Sequence, residues 1–546
     1  MIGTSIPEYI FIRICIFLVQ YTTPLCIAWL ALLAALLHGW VAALCHPLGV
    51  ALLAYSVADV LYAVFVYIPR NRRLKEEAIH PPPLTPDERR ALFQRCFANV
   101  PDARRYLQMW FLGADESEIR RDNVRNFLLW AFFDRWPGKE TPEEDAELEE
   151  YIGTIERVTG RKLEPGKGKA DGLRLTLDDV ETRYRSVVWY LVVGVVDFVS
   201  HCLLARNGFH YHALSPSKGK GHSVIPPRLQ DLSPRRYSEA EGLSYWHRPH
   251  TATDKLPVVF LHGIGIGLYT YVPFLTRLNA GSGEQDGQQG QGQIGIIAIE
   301  ILPVSFRLTG APLSRPEFLR QIATILDAHG WDKFVLASHS YGTVLATHML
   351  RSENLVDRIA SVVLIDPVTI LLHLPDVAYN FTRRRPKGAN EWQLWYFASM
   401  DPGVAHCLGR HFFWKDNIVW KEELVGVAEG KSANLVGVDN QGVRATARSP
   451  RRVAVCLAER DLIVDTGMVA RYMGAEDEGW AVHSPADRGD TGTRGWPMEK
   501  SGREGGYLTR DGIELLWFRG LDHAQVFDSK ETQDRLCGVI RRYCAE

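Results

Sequence analysis

Between residues 334 and 346 the chain runs from an apolar stretch (Phe334-Val335-Leu336-Ala337) through a turn of mostly small residues (Ser338-His339-Ser340-Tyr341-Gly342) into a helix-forming stretch (Thr343-Val344-Leu345-Ala346). No residue separates the three parts. A buried strand that bends straight into a helix has little room for side chains at the bend. Ser338 and Gly342 meet that limit on either side of Ser340. Such a turn holds the Ser340 hydroxyl out at the end of a buried strand, where it can act as a nucleophile. The motif is usually written G-x-S-x-G. Here it is S-x-S-x-G, with the next smallest residue after Gly and Ala in the first position. Taken alone, the five residues read equally well as a serine-rich turn.

Three other segments bear on that choice. Leu256-Pro257-Val258-Val259-Phe260-Leu261 is an apolar strand that ends in His262-Gly263-Ile264-Gly265-Ile266-Gly267. Glycines in such a loop let backbone N–H groups turn toward one point, as an oxyanion site requires. Arg452-Val453-Ala454-Val455-Cys456-Leu457-Ala458 is a strand of buried type followed by Asp461, and Leu515-Leu516-Trp517-Phe518 is a short strand followed by the loop histidine His523. A serine hydroxyl needs a base within hydrogen-bond reach and an acid that holds the base. The chain supplies Ser340, Asp461 and His523, in that order. Residues 294–299 and 361–365 add two more apolar runs of strand length, and 316–329 reads as a helix. Strands alternating with helices imply a mostly parallel sheet covered on both faces.

From about residue 256 to 546 the chain resembles the alpha/beta hydrolase fold superfamily. The resemblance rests on His262-Gly263, the Ser338-to-Gly342 turn, Asp461 and His523, each at the end of an expected strand. Ser…Asp…His is the triad order of that fold. The resemblance implies an α/β architecture with a cap insertion at about 367–450, where many aromatics (Tyr379, Trp392, Trp395, Phe412, Trp414 and others) pack the cap and line an apolar pocket. It implies Ser340 as nucleophile, His523 as base and Asp461 as orienting acid. The oxyanion donors would be the N–H groups of Tyr341 and Ile264, with His262 and Gly263 shaping their loop. Asp366, after the preceding strand, is the rival acid, and Asp522 lies too close to His523 in sequence to reach its ring well. His339 should point away from the reaction. Neither a metal nor an organic cofactor is required. Epoxide hydrolase and dehalogenase chemistry is disfavoured, because those relatives place Asp where this chain has Ser340.

Residues 1–255 fall outside this resemblance and look like the membrane-anchored N-terminal halves of some fungal hydrolase-like proteins. The chain of 546 residues is too long for one compact domain. Its charge is nearly balanced, 62 Lys+Arg against 64 Asp+Glu, so nothing points to nucleic acid. Across residues 14–68 the only formally charged residue is Asp59. Two segments, about 10–37 and 40–68, exceed the ~20 residues that cross a bilayer core, and they are too long for a signal peptide. Arg70, Arg72, Arg73 and Lys75 follow, a cluster expected on the cytosolic side; if the two segments form a hairpin, the hydrolase region faces the cytosol, and a single long anchor with a re-entrant piece is the alternative. On this reading, glycosylation at Asn380 (Asn380-Phe381-Thr382) would place the domain on the other side. A third apolar stretch, 187–204, carries Asp197. It is expected to lie on the membrane or against the hydrolase domain, with a third crossing as the alternative. The nine cysteines show no metal or disulfide spacing.

The domain plan is therefore a transmembrane region of two helices (1–70), a helical region (71–185), an amphipathic helix and linker (186–255), and the hydrolase domain (256–546). Thr85-Pro86-Asp87-Glu88 marks a helix start. The acidic run 143–150 reads as a solvated face. The Gly/Gln-rich 281–293 and the Gly-rich, charged 474–506 are expected to be disordered loops. The expected activity is ester cleavage on a lipid or other apolar acyl substrate at a membrane. Acyl transfer, or a catalytically silent scaffold, are the alternatives.

Overall fold

The computed structural model describes residues 2–36, 39–215, 224–232, 234–279, 292–426, 451–475, 507–509 and 511–545. Nearly all of 281–293 and 474–506, and the last part of the cap (427–450), lie outside the described residues.

Among the described residues, nine strands form one sheet: β1 (His210–His212), β2 (Tyr245–Arg248), β3 (Val258–Leu261), β4 (Ile296–Ile299), β5 (Phe334–His339), β6 (Ile359–Ile365), β7 (Arg452–Ala458), β8 (Tyr507–Leu508) and β9 (Ile513–Phe518). Their order is β1-β2-β4-β3-β5-β6-β7-β9-β8. The inner six are parallel, and β1, β2 and β8 add antiparallel edges. The sequence explains this division. β3, β4 and β5 are apolar at nearly every position and buried along their whole length, as strands covered on both faces must be.

The order reverses between β3 and β5. From β3 the chain steps outward to β4, then returns to β5 and proceeds the other way. Loops leaving the C-terminal ends of β3 and β5 therefore diverge and leave a crevice, the usual ligand position in open parallel sheets. Register pairs Leu261 with Ser338 and His339 with Ile365. The His262-Gly263 loop and Ser340 consequently emerge side by side.

Among the described residues, three helices are long and apolar enough to cross a membrane: Ile6–Ala35, Pro47–Arg73 and Val187–Arg206. The first opens with a capping box between Ser5 and Glu8. The second starts at Pro47, later than the sequence suggests, because a separate short helix (Gly39–Leu44) precedes it and His46 caps the new start. Asp59 is buried inside it. The carboxylate accepts hydrogen bonds from Thr23 Oγ1 of the first helix and, at 2.8 Å, from the Val187 N–H that opens the third. One carboxylate thus ties all three apolar helices together and lies at a helix N-terminus, where negative charge is favoured.

The helix Val187–Arg206 is two-faced. Trp189, Tyr190, Val193, Asp197, Ser200 and Leu204 are buried, whereas Leu191, Val195 and Phe198 are exposed. Asp197 is held by Arg307 at 2.6 Å and Arg228 at 3.2 Å, and Arg228 also grips Glu300 through two bonds of 2.7 and 2.8 Å. Burial alone would raise the Glu300 pKa, but the Arg228 charge and hydrogen bonds depress it to about 2.

Helices Pro86–Ala98, Ala103–Trp110, Arg121–Phe133 and Pro142–Thr159 fill the region before this helix. Thr85 and Glu88 form the expected capping box. The acidic run departs from a plain solvated face. Glu147 is buried and takes a bidentate pair from Arg89 at 2.9 and 2.7 Å, because its position on the helix Pro142–Thr159 turns inward. The region has no separate core: its buried residues join one apolar cluster with the sheet and cap, as where Phe132 meets Trp414 edge-on at 5.8 Å.

Candidate active site

Ser340 stands between β5 and the helix Gly342–Leu350 with φ +49°, the left-handed region. A non-glycine residue there is strained by roughly 1–3 kcal/mol. The sequence provides what holds it. A Cβ on Gly342 would lie 2.2 Å from the Leu261 carbonyl oxygen, so only glycine lets the helix approach β3 this closely. Ser338, the variant position, ends fully buried, and its hydroxyl has no hydrogen-bond partner among the described residues.

Ser340 Oγ lies 2.8 Å from His523 Nε2, and His523 Nδ1 lies 2.7 Å from Asp461 Oδ2. The other Asp461 oxygen accepts the Ile463 and Val464 N–H groups at 2.8 and 3.0 Å, which fixes the carboxylate. All three side chains are buried. Burial resists charge on the imidazole. The Asp461 charge and hydrogen bond outweigh it, with Asp366 and Asp522 adding to them, and push the His523 pKa up to about 9.

The rival acids serve other partners. Asp366 accepts the Ala524 N–H at 2.8 Å and lies 3.6 Å from His339 Nε2. Asp522 accepts the N–H groups of Leu462 (2.9 Å) and His523 (2.7 Å), and the Asn390 amide at 2.6 Å. It therefore clamps the acid loop, the histidine loop and the cap together. His339 hydrogen-bonds Tyr271 through Nδ1 at 2.8 Å.

Ile264 and Tyr341 line the same cavity as Ser340. His262 does not. Its ring is wholly buried, and Nε2 accepts the Ile301 N–H at 2.8 Å, bracing this loop against the one after β4. Gly263 is a close-approach position rather than a donor. Its N–H goes to Tyr271 Oη at 3.1 Å, and a Cβ there would meet Ser340 Cβ and His339 Nδ1, each at 2.8 Å.

A cavity opens in front of Ser340, lined by side chains from several parts of the chain. Its walls are almost entirely apolar. Leu372, Phe381 and Phe412 come from the cap region, but Trp110, Trp130 and Leu175 come from the helical region before residue 186. Sequence reasoning missed these last three. Trp110 and Trp130 sit in ordinary amphipathic helices and Leu175 in a turn, and only long-range packing brings them over Ser340. Tyr271 was missed for the same reason. The sequon at Asn380 needs a correction as well. Asn380 is buried, and its amide donates to the Ile463 carbonyl at 3.0 Å. It therefore cannot report which side of a membrane the domain occupies.

Residues 258–504 match the model of the alpha/beta hydrolase family. The sheet order and the switch point between β3 and β5 agree with that match: the C-terminal half of the chain has the alpha/beta hydrolase fold. Similar solved structures include a membrane phospholipase A described as a bacterial virulence factor (12% identity, 65% of this chain and 96% of that one, TM-score 0.33). The carboxylesterase CesB from Bacillus subtilis (12%, 63% and 97%, TM-score 0.31) and the naproxen esterase from the same organism (13%, 64% and 98%, TM-score 0.32) are others. No curated protein matches the chain.

Proposed function

We propose that the protein is a membrane-anchored serine hydrolase that cleaves an ester with an apolar acyl group, using Ser340, His523 and Asp461. The observation that carries this reading is the unbroken hydrogen-bonded chain from Ser340 Oγ through His523 to Asp461, opening on an apolar cavity. Ser340 Oγ attacks the acyl carbonyl while His523 Nε2 takes its proton. Asp461 stabilises the imidazolium. The oxygen of the tetrahedral intermediate turns toward the N–H groups of Ile264 and Tyr341, and one such donor is worth about 3–4 kcal/mol. His523 then protonates the leaving alcohol, and water repeats the cycle on the acyl-enzyme. An acceptor other than water would make the same site an acyltransferase.

The anchor is proposed to be a hairpin with the hydrolase domain on the cytosolic side. Three contacts support an even number of crossings. At one end the Ile2 N–H donates to Gln393 of the cap at 3.0 Å and Arg13 stacks over Trp392 at 3.9 Å; at the other, Arg70 bonds the Thr309 carbonyl. Both ends of the hairpin therefore meet the same domain. Labelling by a fluorophosphonate probe tests the chemistry: the wild-type chain should label and Ser340→Ala should not. Labelling of both alike would sink the proposal.

A further inference from the structure

Away from the Ser340 cavity, three imidazoles converge at the antiparallel edge of the sheet. His212 ends β1, His247 lies in β2, and His329 follows the helix Arg315–Ala328. The register pairs His212 with Tyr245 and His210 with His247, so His212, Tyr245 and His247 share one face. One ring nitrogen from each of the three histidines lies within 4.8 Å of one from each of the others. The rings of His247 and His329 have centroids 3.9 Å apart.

We propose that His212, His247 and His329 form a zinc site that is independent of the hydrolase centre. Two buried ring nitrogens, His212 Nε2 and His247 Nδ1, have no hydrogen-bond partner among the described residues. Buried polar atoms are nearly always paired, so these two nitrogens are free to take a partner such as a metal ion. The surroundings are already those of a ligand set. The Tyr245 hydroxyl donates to Glu239 Oε2 at 2.5 Å and is met by His212 Nδ1 at 2.8 Å and His329 Nε2 at 2.9 Å. Such a second layer orients imidazoles and raises their basicity toward a metal.

Three neutral imidazoles with a fourth position open suit zinc, whereas magnesium and calcium want oxygen ligands. Tetrahedral zinc at 2.0–2.1 Å sets its nitrogens about 3.3 Å apart, so the rings would close inward by rotamer changes. His329 is only half-buried and provides the way in. Bound zinc would pin β1 and β2 to the end of the helix Arg315–Ala328.

The full-length protein in detergent, stripped with a chelator, is titrated with zinc alone. Saturable binding of one ion per chain and a higher Tm are expected, with no response to magnesium. Tyr245→Phe keeps the three ligands and should weaken zinc binding on the order of 10–100-fold. His329→Asn should abolish it. Fluorophosphonate labelling of Ser340 checks separately that each variant is folded. Absence of saturable zinc binding by the wild-type chain would overturn the proposal, as would unchanged affinity in a folded His329→Asn variant. Because the wild-type titration decides alone, a variant that fails to fold does not protect the idea.

Discussion

At the residue scale, the site depends on two backbone approaches that no larger side chain permits. Gly263 sits against Ser340, and the added methyl of Gly263→Ala would have to displace Ser340 Cβ or His339 from 2.8 Å. A shift of about 1 Å in a reacting group costs on the order of 10²-fold in rate. Gly263→Ala should therefore lower kcat by about that factor and lower stability by about 1–3 kcal/mol, as overpacking does; full activity would show that the loop is not bound to the nucleophile's position. The pKa of His523 gives a second expectation. The base works only when neutral, so kcat/KM should be high above about pH 9 and fall as pH drops through that value. Stability moves the other way. A pKa raised on folding contributes stability that is fully present below the unfolded value of ~6.5 and lost as pH rises toward the folded one. Asp461→Asn should move that fall in kcat/KM to lower pH and lower kcat on the order of 10⁴-fold. An unshifted pH profile in that variant would dissociate His523 from Asp461.

At the element scale, the helix Val187–Arg206 is apolar enough to cross a membrane yet carries a carboxylate that belongs to the domain beneath it. Arg307 is buried, and Asp197 is its ion-pair partner there. Removing one member of a buried pair leaves an uncompensated charge, which costs about 3–5 kcal/mol. Asp197→Ala should lose stability on that order in chemical denaturation, and Asp197→Asn less, because the amide oxygen still accepts a bond. Equal, small losses in both would mean that the helix is held by its apolar contacts alone. The same element shows what a sequence can and cannot tell. Its length, its apolarity and the oddity of Asp197 were legible, as were the strand-turn-helix at Ser340 and the order of Asp461 and His523. Each is a local pattern. The partners of Asp197 lie 31 and 110 residues away at Arg228 and Arg307, and nothing periodic links them. Glu147 was misread as solvent-facing for that reason: its burial depends on Arg89, which sits on another helix.

At the scale of the whole molecule, the helical region and the hydrolase domain share one cavity. Trp110 and Trp130 pack tilted against each other with centroids 5.5 Å apart, and Trp130 Nε1 donates to Thr176 Oγ1 at 2.9 Å. They face the cap residues Phe381, Phe412 and Trp414 across the space in front of Ser340. A cavity walled from both sides this way limits how much acyl chain can enter beyond the nucleophile. Trp110 contributes apolar bulk without a charge or a bond to the triad, so Trp110→Ala should deepen the cavity and spare the chemistry. Each methylene that a pocket newly accepts is worth about 1–3 kcal/mol, or roughly 10–200-fold in kcat/KM. Assayed on a series of nitrophenyl esters, Trp110→Ala should gain about tenfold in kcat/KM for long acyl chains relative to acetate, while kcat on acetate stays near that of the wild-type chain. Loss of activity on every ester alike would instead make Trp110 part of the support of the site. An unchanged chain-length profile would remove this cavity as the acyl-binding space and leave the helical region a role in stability alone.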